Sequence, residues 1–372
     1  MSMTPAPTTP ARTMSDSAFR AAADAFLSWL SGTFINELNA VMGLAQLKGG
    51  WVSGTTYAKY DLVISPANFQ PYLRTVAGAG TTDPSADTTN WTVFNQNIDP
   101  MVNDFRLTLG TGFPVTTSDV TGATTIYASS YTGNRIGLYV NGAWVVRQSP
   151  TPEFSKALGT LTSGLPYDVF CYDNAGVPTL EFLAWTNSTT RATALTRFNG
   201  ILVKTGDATR RYLGTFFTTS TTTTEDSAAN RYLWNYYNRV ERPMKRTETT
   251  ASWTYTTATF RQANASASNQ LNFVIGVAEE PVFAKLSARC ANSSAGIFTQ
   301  AALGIDSTTT ATAGASTTIS NAATYYSYHS PSLCENIAEG RHYIAWLEYS
   351  QAGGTTTWEG NSAFGIAGSL RG

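Results

Sequence analysis

From Phe105 to the end of the chain, the sequence repeats one pattern in which short segments rich in β-branched and aromatic residues alternate with turn residues. Three of these segments carry a turn at their centre, at residues 141–142, 173–176 and 206–207. Asn141-Gly142 lies between two apolar segments, and Asn-Gly in that position is the strongest short-range signal for a β-hairpin. Paired segments of this kind form antiparallel meanders, so the chain is predicted to be mainly β.

The C-terminal part of the chain continues the same pattern. We predict an antiparallel β body over residues 99–250 and a tip over residues 251–372 that is a β-sandwich or jelly roll. The ending resembles the trimeric tip domains of the tumour-necrosis-factor and C1q kind, in which a Gly-x-His-Tyr-Ile strand, a Gly-Gly turn and a Gly-x-x-Gly strand form the last sheet. The matching residues are Gly340, His342 to Ile344, Gly353-Gly354, and Gly365 to Gly368.

The composition excludes some partners and favours others. Charged residues make up 13 % of the chain, against about 25 % in an ordinary globular protein. The formal net charge is −1, which gives no indication of a nucleic-acid or anionic-membrane partner. Aromatic residues reach 12 %, with nine tryptophans and eighteen tyrosines. Low charge, many hydroxyl side chains and abundant aromatic rings are common in extended β proteins and in surfaces that contact carbohydrate.

Two kinds of targeting segment are not expected. No stretch approaches the roughly eighteen apolar residues of a membrane span, so we predict no span. The first fifteen residues lack the apolar region of a secretory signal, so we expect no cleaved leader.

The N-terminal region combines a proline-containing arm with a long helical pattern. Residues 1–14 are predicted to be a flexible arm and residues 15–48 an amphipathic helix, which glycines at 32 and 43 would allow to bend or split. At about 1.5 Å per residue, the helix would be roughly 50 Å long. We therefore expect it to pack on the β region or on the same helix of another copy, as in a homotrimer. Its predicted assembly residues are Phe19, Phe26, Leu30, Phe34, Leu38 and Val41.

Residues 49–98 form a compact segment in which aromatic residues alternate with turn residues, which predicts a small β module. Its order of residues resembles the small chitin- and cellulose-binding modules of the family five/twelve type. The matching positions are Trp51, Tyr57, Asp61 to Val63, Tyr72, Pro84 and Trp91, while Tyr60 stands where these modules usually have glycine.

That resemblance implies glycan contact, because aromatic faces stack on sugar rings. The candidate contact residues are Trp51, Tyr57, Tyr60, Tyr72 and Trp91. The alternative is that these side chains form the core of the module, since a domain this small needs large side chains to bury enough area. The structural alternative is the one we favour.

A cluster of arginines and aromatic residues lies between Asp226 and Pro243, where we also predict a short helix. In one interpretation, the cluster holds an acidic sugar by bidentate hydrogen bonds and stacking. In the other, which we favour, it forms an inter-subunit or inter-domain seam, since interfaces are enriched in Tyr, Trp and Arg. The candidate residues are Arg231, Tyr232, Trp234, Tyr236, Tyr237 and Arg239.

The order of these regions resembles tailed-bacteriophage virion proteins of the tail-fibre type. The opening of such fibres matches Phe19 and residues 23–27, although Asp16 lies one residue closer to Phe19 than the pattern has it. The junction to the aromatic module and the run from Pro114 to Met244 complete the likeness. The resemblance implies an oligomeric component of the virion exterior, assembled in the bacterial cytoplasm. Its partners would be other virion proteins, through the arm and helix, and a host-surface glycan.

The sequence offers little for catalysis, so we predict a non-enzymatic protein without a metal or cofactor. The two histidines, His329 and His342, have no partner at zinc-site spacing, and no nucleophile or phosphate-loop motif is present. The three cysteines are predicted to be buried and unpaired. Carboxylates available for glycan cleavage are Glu279 with Glu280, Glu335 with Glu339, and Glu348 with Glu359.

Two alternative functions stay open at this point. The protein could be a head fibre, a collar protein or a decoration protein with a purely structural role. It could also be a polysaccharide depolymerase, although no repeat typical of a β-helix is visible in the sequence.

Overall fold

The computed structural model describes residues 7, 11, 13–34, 46–68, 70–94 and 102–372. The chain divides into two compact units, Met1–Ile98 and Asp99–Gly372. Strands dominate the described residues, which confirms the predicted mainly β fold. No helix in this part of the chain is long and apolar enough to span a membrane.

The first unit begins with a short helix, α1, at Asp16–Ser28. The hydroxyl of Ser15 caps it by accepting a hydrogen bond from the backbone N–H of Ala18 at 3.4 Å. A π-helical turn follows at Trp29–Phe34. No residue of α1 is buried, and Phe19 is 42 % exposed. The apolar face predicted for assembly is therefore not covered by the described residues of this chain.

The predicted single helix over residues 15–48 is wrong at its C-terminal end. Gln46–Gly50 forms strand β1, which pairs in parallel with β3 (Asp61–Ile64). Strand β1 exists because its backbone groups bind a neighbouring strand, and apolar spacing along the sequence does not reveal that pairing. The predicted assembly residues outside the described part of the chain are Leu38 and Val41.

The remaining strands of the first unit are β2 (Thr56–Tyr57), β4 (Pro71–Arg74), β5 (Gly78–Ala79) and β6 (Trp91–Val93). Four strands form one sheet in the order β1-β3-β4-β6, and β2 pairs with β5. Side chains from β2, β3, β4 and β6 meet in a small apolar core. Residues 46–94 thus form a small β structure with an aromatic core, and the predicted module bounds of 49–98 stay a prediction.

Within residues 102–372, the described part of the second unit, there are twenty-six strands. The first fourteen are β7 (Phe105–Thr108), β8 (Val120–Ala123), β9 (Thr125–Ser130), β10 (Arg135–Val140), β11 (Ala143–Gln148), β12 (Glu153–Ala157), β13 (Pro166–Asn174), β14 (Val177–Ala184), β15 (Leu195–Phe198), β16 (Ile201–Lys204), β17 (Asp207–Phe217), β18 (Thr224–Asp226), β19 (Asn230–Arg231) and β20 (Leu233–Asn235).

The other twelve are β21 (Glu241–Thr247), β22 (Ser252–Thr254), β23 (Arg261–Gln262), β24 (Gln270–Ile275), β25 (Val282–Asn292), β26 (Phe298–Ile305), β27 (Ser316–Ser320), β28 (Tyr326–His329), β29 (Ser332–Glu335), β30 (Gly340–Ser350), β31 (Thr356–Glu359) and β32 (Gly365–Arg371). A single 3₁₀ turn, Ala263–Ala265, lies between β23 and β24.

The second unit has three smaller sheets, and two of them contain the hairpins that the sequence predicts. Their orders are β12-β9-β7, β10-β11, and β14-β13-β17-β16-β15 with β20 paired to β17. The turn between β10 and β11 is Asn141-Gly142, with φ values of 49° and 86°. The turn between β13 and β14 is Ala175-Gly176. Each of these residues adopts the positive φ that a two-residue hairpin turn requires.

Two larger sheets share one hydrophobic core. The eight-stranded sheet has the order β27-β26-β30-β24-β19-β18-β8, with β23 paired to β30. The seven-stranded sheet has the order β21-β32-β25-β31-β22, with β28 and β29 paired to β25. Their facing side chains include Phe273, Leu286, Trp346 and Trp358, all at most 1 % exposed. Strands from before and after residue 250 contribute to both sheets, so the predicted body–tip boundary lies inside this unit.

The predicted short helix between Asp226 and Pro243 is wrong, because the structure has strands β18 to β21 there. Pairing with β8, β24, β17 and β32 supplies the backbone hydrogen bonds that a helix would have made internally. Pro243 lies on β21, which is an edge strand of its sheet and therefore tolerates a residue without an N–H.

Candidate functional site

The aromatic residues predicted to contact a glycan divide into a buried group and an accessible group. Tyr57, Tyr72 and Trp91 are at most 6 % exposed and form the core of the first unit. The ring of Tyr57 meets that of Trp91 edge-on, with centroids 5.3 Å apart. Trp51 packs against this core and is partly exposed, as is Tyr60, which has a φ of 75°. Glycan contact by the module stays a prediction, and only the last two rings offer it accessible surface.

The Arg231–Arg239 cluster lies within the second unit and contacts that unit's own strands. Arg231 donates to the carboxylate of Asp226 at 3.1 Å and to the backbone oxygen of Pro243 at 2.7 Å. The guanidinium of Arg239 lies 4.9 Å from the ring centre of Trp234. An acidic sugar would have to displace these partners, so the cluster is arranged as a seam within one chain. An inter-subunit seam stays a prediction.

The tyrosines of the cluster, Tyr232, Tyr236 and Tyr237, also contact other residues of the second unit. Tyr232 is 7 % exposed, with its ring 4.8 Å from that of Phe217. Burial raises the pKa of both Tyr232 and Tyr237. The hydroxyl of Tyr237 accepts a hydrogen bond from the buried guanidinium of Arg211 at 3.3 Å, and Tyr236 packs against Tyr237. Tyr232 and Tyr237 are therefore neutral at physiological pH and act as packing groups with a polar end.

A different group of aromatic residues faces outward from the seven-stranded sheet. Tyr326 and Tyr328 on β28 are 54 % and 61 % exposed, and Tyr325 just before them is 73 % exposed. Along β28 the tyrosines alternate with the buried residues Ser327 and His329. Because successive side chains of a strand point to opposite faces, both β28 tyrosines lie on the outer face of the sheet.

Strand pairing places a charged pair beside these tyrosines. Tyr328 lies opposite Arg289 of β25, and Arg289 lies opposite Glu359 of β31. Three neighbouring strands therefore present a tyrosine, an arginine and a glutamate in one row across the sheet. We call Tyr326, Tyr328, Arg289 and Glu359 the tyrosine platform.

The guanidinium of Arg289 connects the members of the tyrosine platform. It lies 4.2 Å from the ring centre of Tyr326 and 5.8 Å from that of Tyr328. Its Nη1 donates to the Tyr328 hydroxyl at 3.4 Å, and its Nη2 donates to Glu359 Oε2. Hydrogen bonds to Tyr328 and Glu359 raise the pKa of Arg289, and a hydrogen bond to Glu359 raises that of Tyr326. The platform thus places an arginine–glutamate ion pair beside two exposed phenol rings.

The inner face beneath β28 fixes the strand in position. His329 is 1 % exposed, and its Nε2 lies 3.2 Å from the Thr299 hydroxyl and 3.6 Å from Cys290 Sγ. Burial lowers the pKa of His329 to about 4 and raises that of Cys290 to about 12. Both groups are therefore neutral near pH 7, and the thiol is not an activated nucleophile. They act as buried polar contacts that set which residues of β28 point outward.

The cysteine prediction is right for two residues and wrong for the third. Cys171 and Cys290 are buried and free, whereas Cys334 is free but exposed on β29. Its side chain points outward because it alternates with the buried Leu333, and the sequence pattern did not distinguish these two positions.

Several carboxylates that the sequence offers for glycan cleavage have structural partners. Glu279 and Glu280 both form ion pairs with Arg239. Glu348 is fully buried, accepts a hydrogen bond from Trp253 Nε1 at 2.6 Å, and has a pKa that burial raises to about 7. Within the described ranges, no group of three or more His, Cys, Asp or Glu side chains could hold a metal ion.

Sequence reasoning identified the strand that carries the platform but not its function. The segment Thr324 to Ser330 alternates tyrosine with smaller residues, which predicts a half-buried strand. Strands β25 and β31, which lie far from β28 along the chain, decide which face of β28 covers the core and which faces solvent. The local signal was the pair Tyr326 and Tyr328, two residues apart and so on one side of the alternation.

No protein-family model matches the chain, and no curated protein matches it. Among solved structures, the insecticidal delta-endotoxin Cry8Ea1 from Bacillus thuringiensis matches with 8 % identity and a TM-score of 0.22, over 72 % of this chain and 51 % of that one. This chain therefore spans about half the length of the endotoxin.

Two further structures match at a similar level. A structure of infectious bursal disease virus, Gx strain, has 11 % identity and a TM-score of 0.25, over 73 % of each chain. A glycoside hydrolase family 43 arabinoxylan arabinofuranohydrolase from Bacillus subtilis has 12 % identity and a TM-score of 0.20, over 82 % of this chain and 65 % of that one. At these TM-scores, none of the likenesses carries an argument about function.

Proposed function

We propose that the chain is a non-enzymatic structural protein of a phage or phage-like particle, of the tail-fibre type, which contacts a glycan of the host surface through the tyrosine platform. The N-terminal arm and helical region would attach it to other virion proteins on the particle exterior. The sequence resemblance supports the assignment to a virion. The single observation that supports glycan contact is the pair of exposed tyrosines held beside an ion pair.

The chemistry of the platform suits a carbohydrate. The exposed phenol rings of Tyr326 and Tyr328 offer apolar faces on which the C–H face of a sugar ring can stack. Arg289 and Glu359 lie in the same row and can donate to and accept from sugar hydroxyls. Since Arg289 already contacts both tyrosines, the rings lose little rotational freedom on binding, which reduces the entropic cost.

The finer architecture is part of the same proposal. Two sheets that enclose one core and are antiparallel except for the β19–β24 pair support a jelly-roll-like sandwich for the C-terminal region. The uncovered apolar residues of α1, among them Phe19, support a homotrimer in which the helical regions pack on one another. Light scattering coupled to size exclusion should give three times the chain mass, and a monomer at micromolar concentration would contradict the trimer.

The test of glycan contact is a substitution that removes both rings of the tyrosine platform. We expect the double variant Tyr326→Ala/Tyr328→Ala to lose binding on a glycan array and adsorption to host cells. Truncating aromatic anchors of an interface costs about 2 kcal/mol or more, which corresponds to roughly 30-fold weaker binding. Substitution is preferable to deletion of residues 251–372, because that segment shares its core with earlier strands.

The matched control is Tyr131→Ala, which removes an exposed tyrosine located between β9 and β10. It should bind and adsorb like the unaltered protein. Equal binding by the control and the double variant would contradict the proposed site. Clearing of host capsule by the isolated protein would instead support a depolymerase.

A further inference from the structure

A second site lies in the second unit, at a cleft beside Arg191. The cleft has a volume of about 470 Å³. It is lined by residues of the loop after β14, by residues of the β15–β16 hairpin, and by Val277 and Glu339. Small-molecule sites in proteins occupy about 300–1,000 Å³. The residues that matter for its chemistry are Thr190, Arg191, Leu195, Arg197, Val277 and Glu339. We call it the Arg191 cleft.

The loop that forms one wall of the cleft is fixed by its own hydrogen bonds. Trp185 and Arg191 form an isolated β-bridge. The backbone N–H of Thr186 donates to the oxygen of Thr190 at 2.8 Å. From the neighbouring strand β30, the N–H of Arg341 donates to the oxygen of Ser188 at 2.8 Å. The cleft is therefore formed before any ligand arrives, which lowers the cost of binding.

Arg191 is held at the base of the cleft by the protein itself. Its Nε donates to Asp168 at 2.8 Å, its Nη1 donates to Glu339, and its Nη2 donates to the backbone oxygen of Gly276. Its guanidinium also lies 4.4 Å from the ring centre of Trp185. The side chain is 6 % exposed. Arg191 thus gives the cleft its shape, and its charge is already used by Asp168 and Glu339.

The second cation of the cleft is also paired. Arg197 donates to Glu279 at 3.2 Å and to the Tyr236 hydroxyl at 3.1 Å. Each of the two arginines is therefore paired with at least one carboxylate, so the cleft has no excess positive charge that would attract an anion. A cationic amine is also disfavoured, because two guanidiniums line the cleft against one carboxylate, Glu339, which already pairs with Arg191.

The polar groups that stay open suit hydroxyls. Neither Glu339 Oε1 nor the Thr190 hydroxyl has a hydrogen-bond partner among the described residues of the chain. The ionised Glu339 carboxylate can only accept hydrogen bonds, whereas the Thr190 hydroxyl can both donate and accept them. Leu195 and Val277 provide apolar surface beside them. A ligand that fits has several hydroxyls and an apolar C–H face.

We propose that the Arg191 cleft binds one uncharged sugar residue, as a second glycan site separate from the tyrosine platform. The sugar hydroxyls donate to Glu339 and exchange hydrogen bonds with Thr190, and the ring's C–H face packs on Leu195 and Val277. The site does not require the platform, so its binding can be measured with free monosaccharides and without a host cell.

The experiment titrates the full-length protein with methyl glycosides of glucose, galactose, mannose, N-acetylglucosamine and rhamnose, and with glucuronic and galacturonic acids. Binding is followed by saturation-transfer NMR and calorimetry. We expect at least one neutral glycoside to bind with a Kd on the order of 1–10 mM. The uronic acid of the same sugar should bind about tenfold more weakly or worse.

Three variants locate the binding. Leu195→Trp fills the cleft and should abolish binding of the sugar, whereas Thr190→Val keeps the side-chain shape and should weaken binding by roughly threefold to tenfold. The double variant Tyr326→Ala/Tyr328→Ala should bind the monosaccharide as before. If the double variant no longer adsorbs to host cells but still binds the monosaccharide, the tyrosine platform and the Arg191 cleft are separate sites.

Three results would overturn the proposal. They are saturable binding by none of the neutral glycosides up to about 100 mM, equal binding by Leu195→Trp, and tighter binding of a uronic acid than of its neutral parent. Circular dichroism and thermal unfolding of Leu195→Trp must match the unaltered protein. If Leu195→Trp is misfolded, Thr190→Val becomes the test of the site. Unchanged affinity of Thr190→Val for the sugar would then contradict binding in the Arg191 cleft.

Discussion

The same residue type has opposite roles in the two units of this protein. In the first unit, Tyr57 and Tyr72 point inward and form the core with Trp91. In the second unit, Tyr326 and Tyr328 point outward from a sheet whose other face covers a much larger apolar core. Both pairs lie on short strands, so the strand alone does not determine the role of a tyrosine.

The difference follows from the size of each unit. A small module buries little of its surface and needs its largest side chains to do so. The larger unit has enough aliphatic and aromatic side chains inside, so a strand such as β28 can expose its tyrosines without loss of core area. Abundant aromatic residues in a sequence are therefore a sign of binding only where the core is already supplied by other residues.

The largest effect expected from this comparison is on stability. Trp91→Ala should destabilise the first unit by about 3–5 kcal/mol, because it removes a 3 % exposed indole from a four-residue core. Hydrogen-exchange mass spectrometry should then show loss of protection throughout residues 46–94.

The matched substitution is Tyr326→Ala in the second unit. An exposed position of this kind should change the free energy of unfolding by no more than about 0.5 kcal/mol. If Trp91→Ala and Tyr326→Ala lowered the free energy of unfolding by similar amounts, the distinction between a core aromatic residue and a surface aromatic residue would be wrong.

The contrast between a buried and an outward-facing side chain also applies to two carboxylates. From it we predict a pH dependence of stability of intermediate size. Glu359 lies on the outer face with Arg289, whereas Glu348 is fully buried and has a pKa raised by burial from 4.5 to about 7. The folded state then binds more protons than the unfolded state between these two pH values. The contribution of Glu348 to stability should therefore be greatest below about pH 4.5 and should fall by roughly 3 kcal/mol as the pH rises through 7.

The measurement compares chemical unfolding of the unaltered protein and of Glu348→Gln between pH 4.5 and 8. The amide cannot ionise, so the variant should lack this part of the pH dependence. Glu359→Gln is the control and should keep it. A difference between the unaltered protein and Glu348→Gln that is constant over this range would contradict the raised pKa.

The smallest effect concerns the two accessible rings of the first unit. If the tyrosine platform carries glycan contact, Trp51→Ala/Tyr60→Ala should change host adsorption by less than about twofold, since rings outside a binding hot spot contribute little. A loss as large as that of Tyr326→Ala/Tyr328→Ala would move the site to the aromatic module.

Local signals in the sequence predicted local structure well. Asn141-Gly142 and Ala175-Gly176 form the expected hairpin turns, because positive φ at two consecutive residues is encoded by those residues themselves. The apolar spacing near Phe19 correctly placed a helix, but it could not show where that helix ends. Strand β1 depends on β3, and no property of residues 46–50 alone reveals that partner.

Long-range pairing explains why the candidate site was missed. The cluster from Arg231 to Arg239 was identified from composition, yet its charges are occupied by Asp226, Glu279 and Glu280 of the same chain. The tyrosine platform needs β25, β28 and β31 side by side, and each belongs to a different part of the sequence. Burial on one face and exposure on the other arise only in the assembled sheet.

The most direct test of the proposed glycan contact is ¹⁹F NMR of the protein labelled with fluorotyrosine, recorded with and without a glycan identified on the array. Single Tyr→Phe variants assign the resonances. The resonances of Tyr326 and Tyr328 should shift on binding, and those of Tyr57 and Tyr72 should stay unchanged. Bound glycan with unchanged Tyr326 and Tyr328 resonances would contradict the tyrosine platform as the contact site.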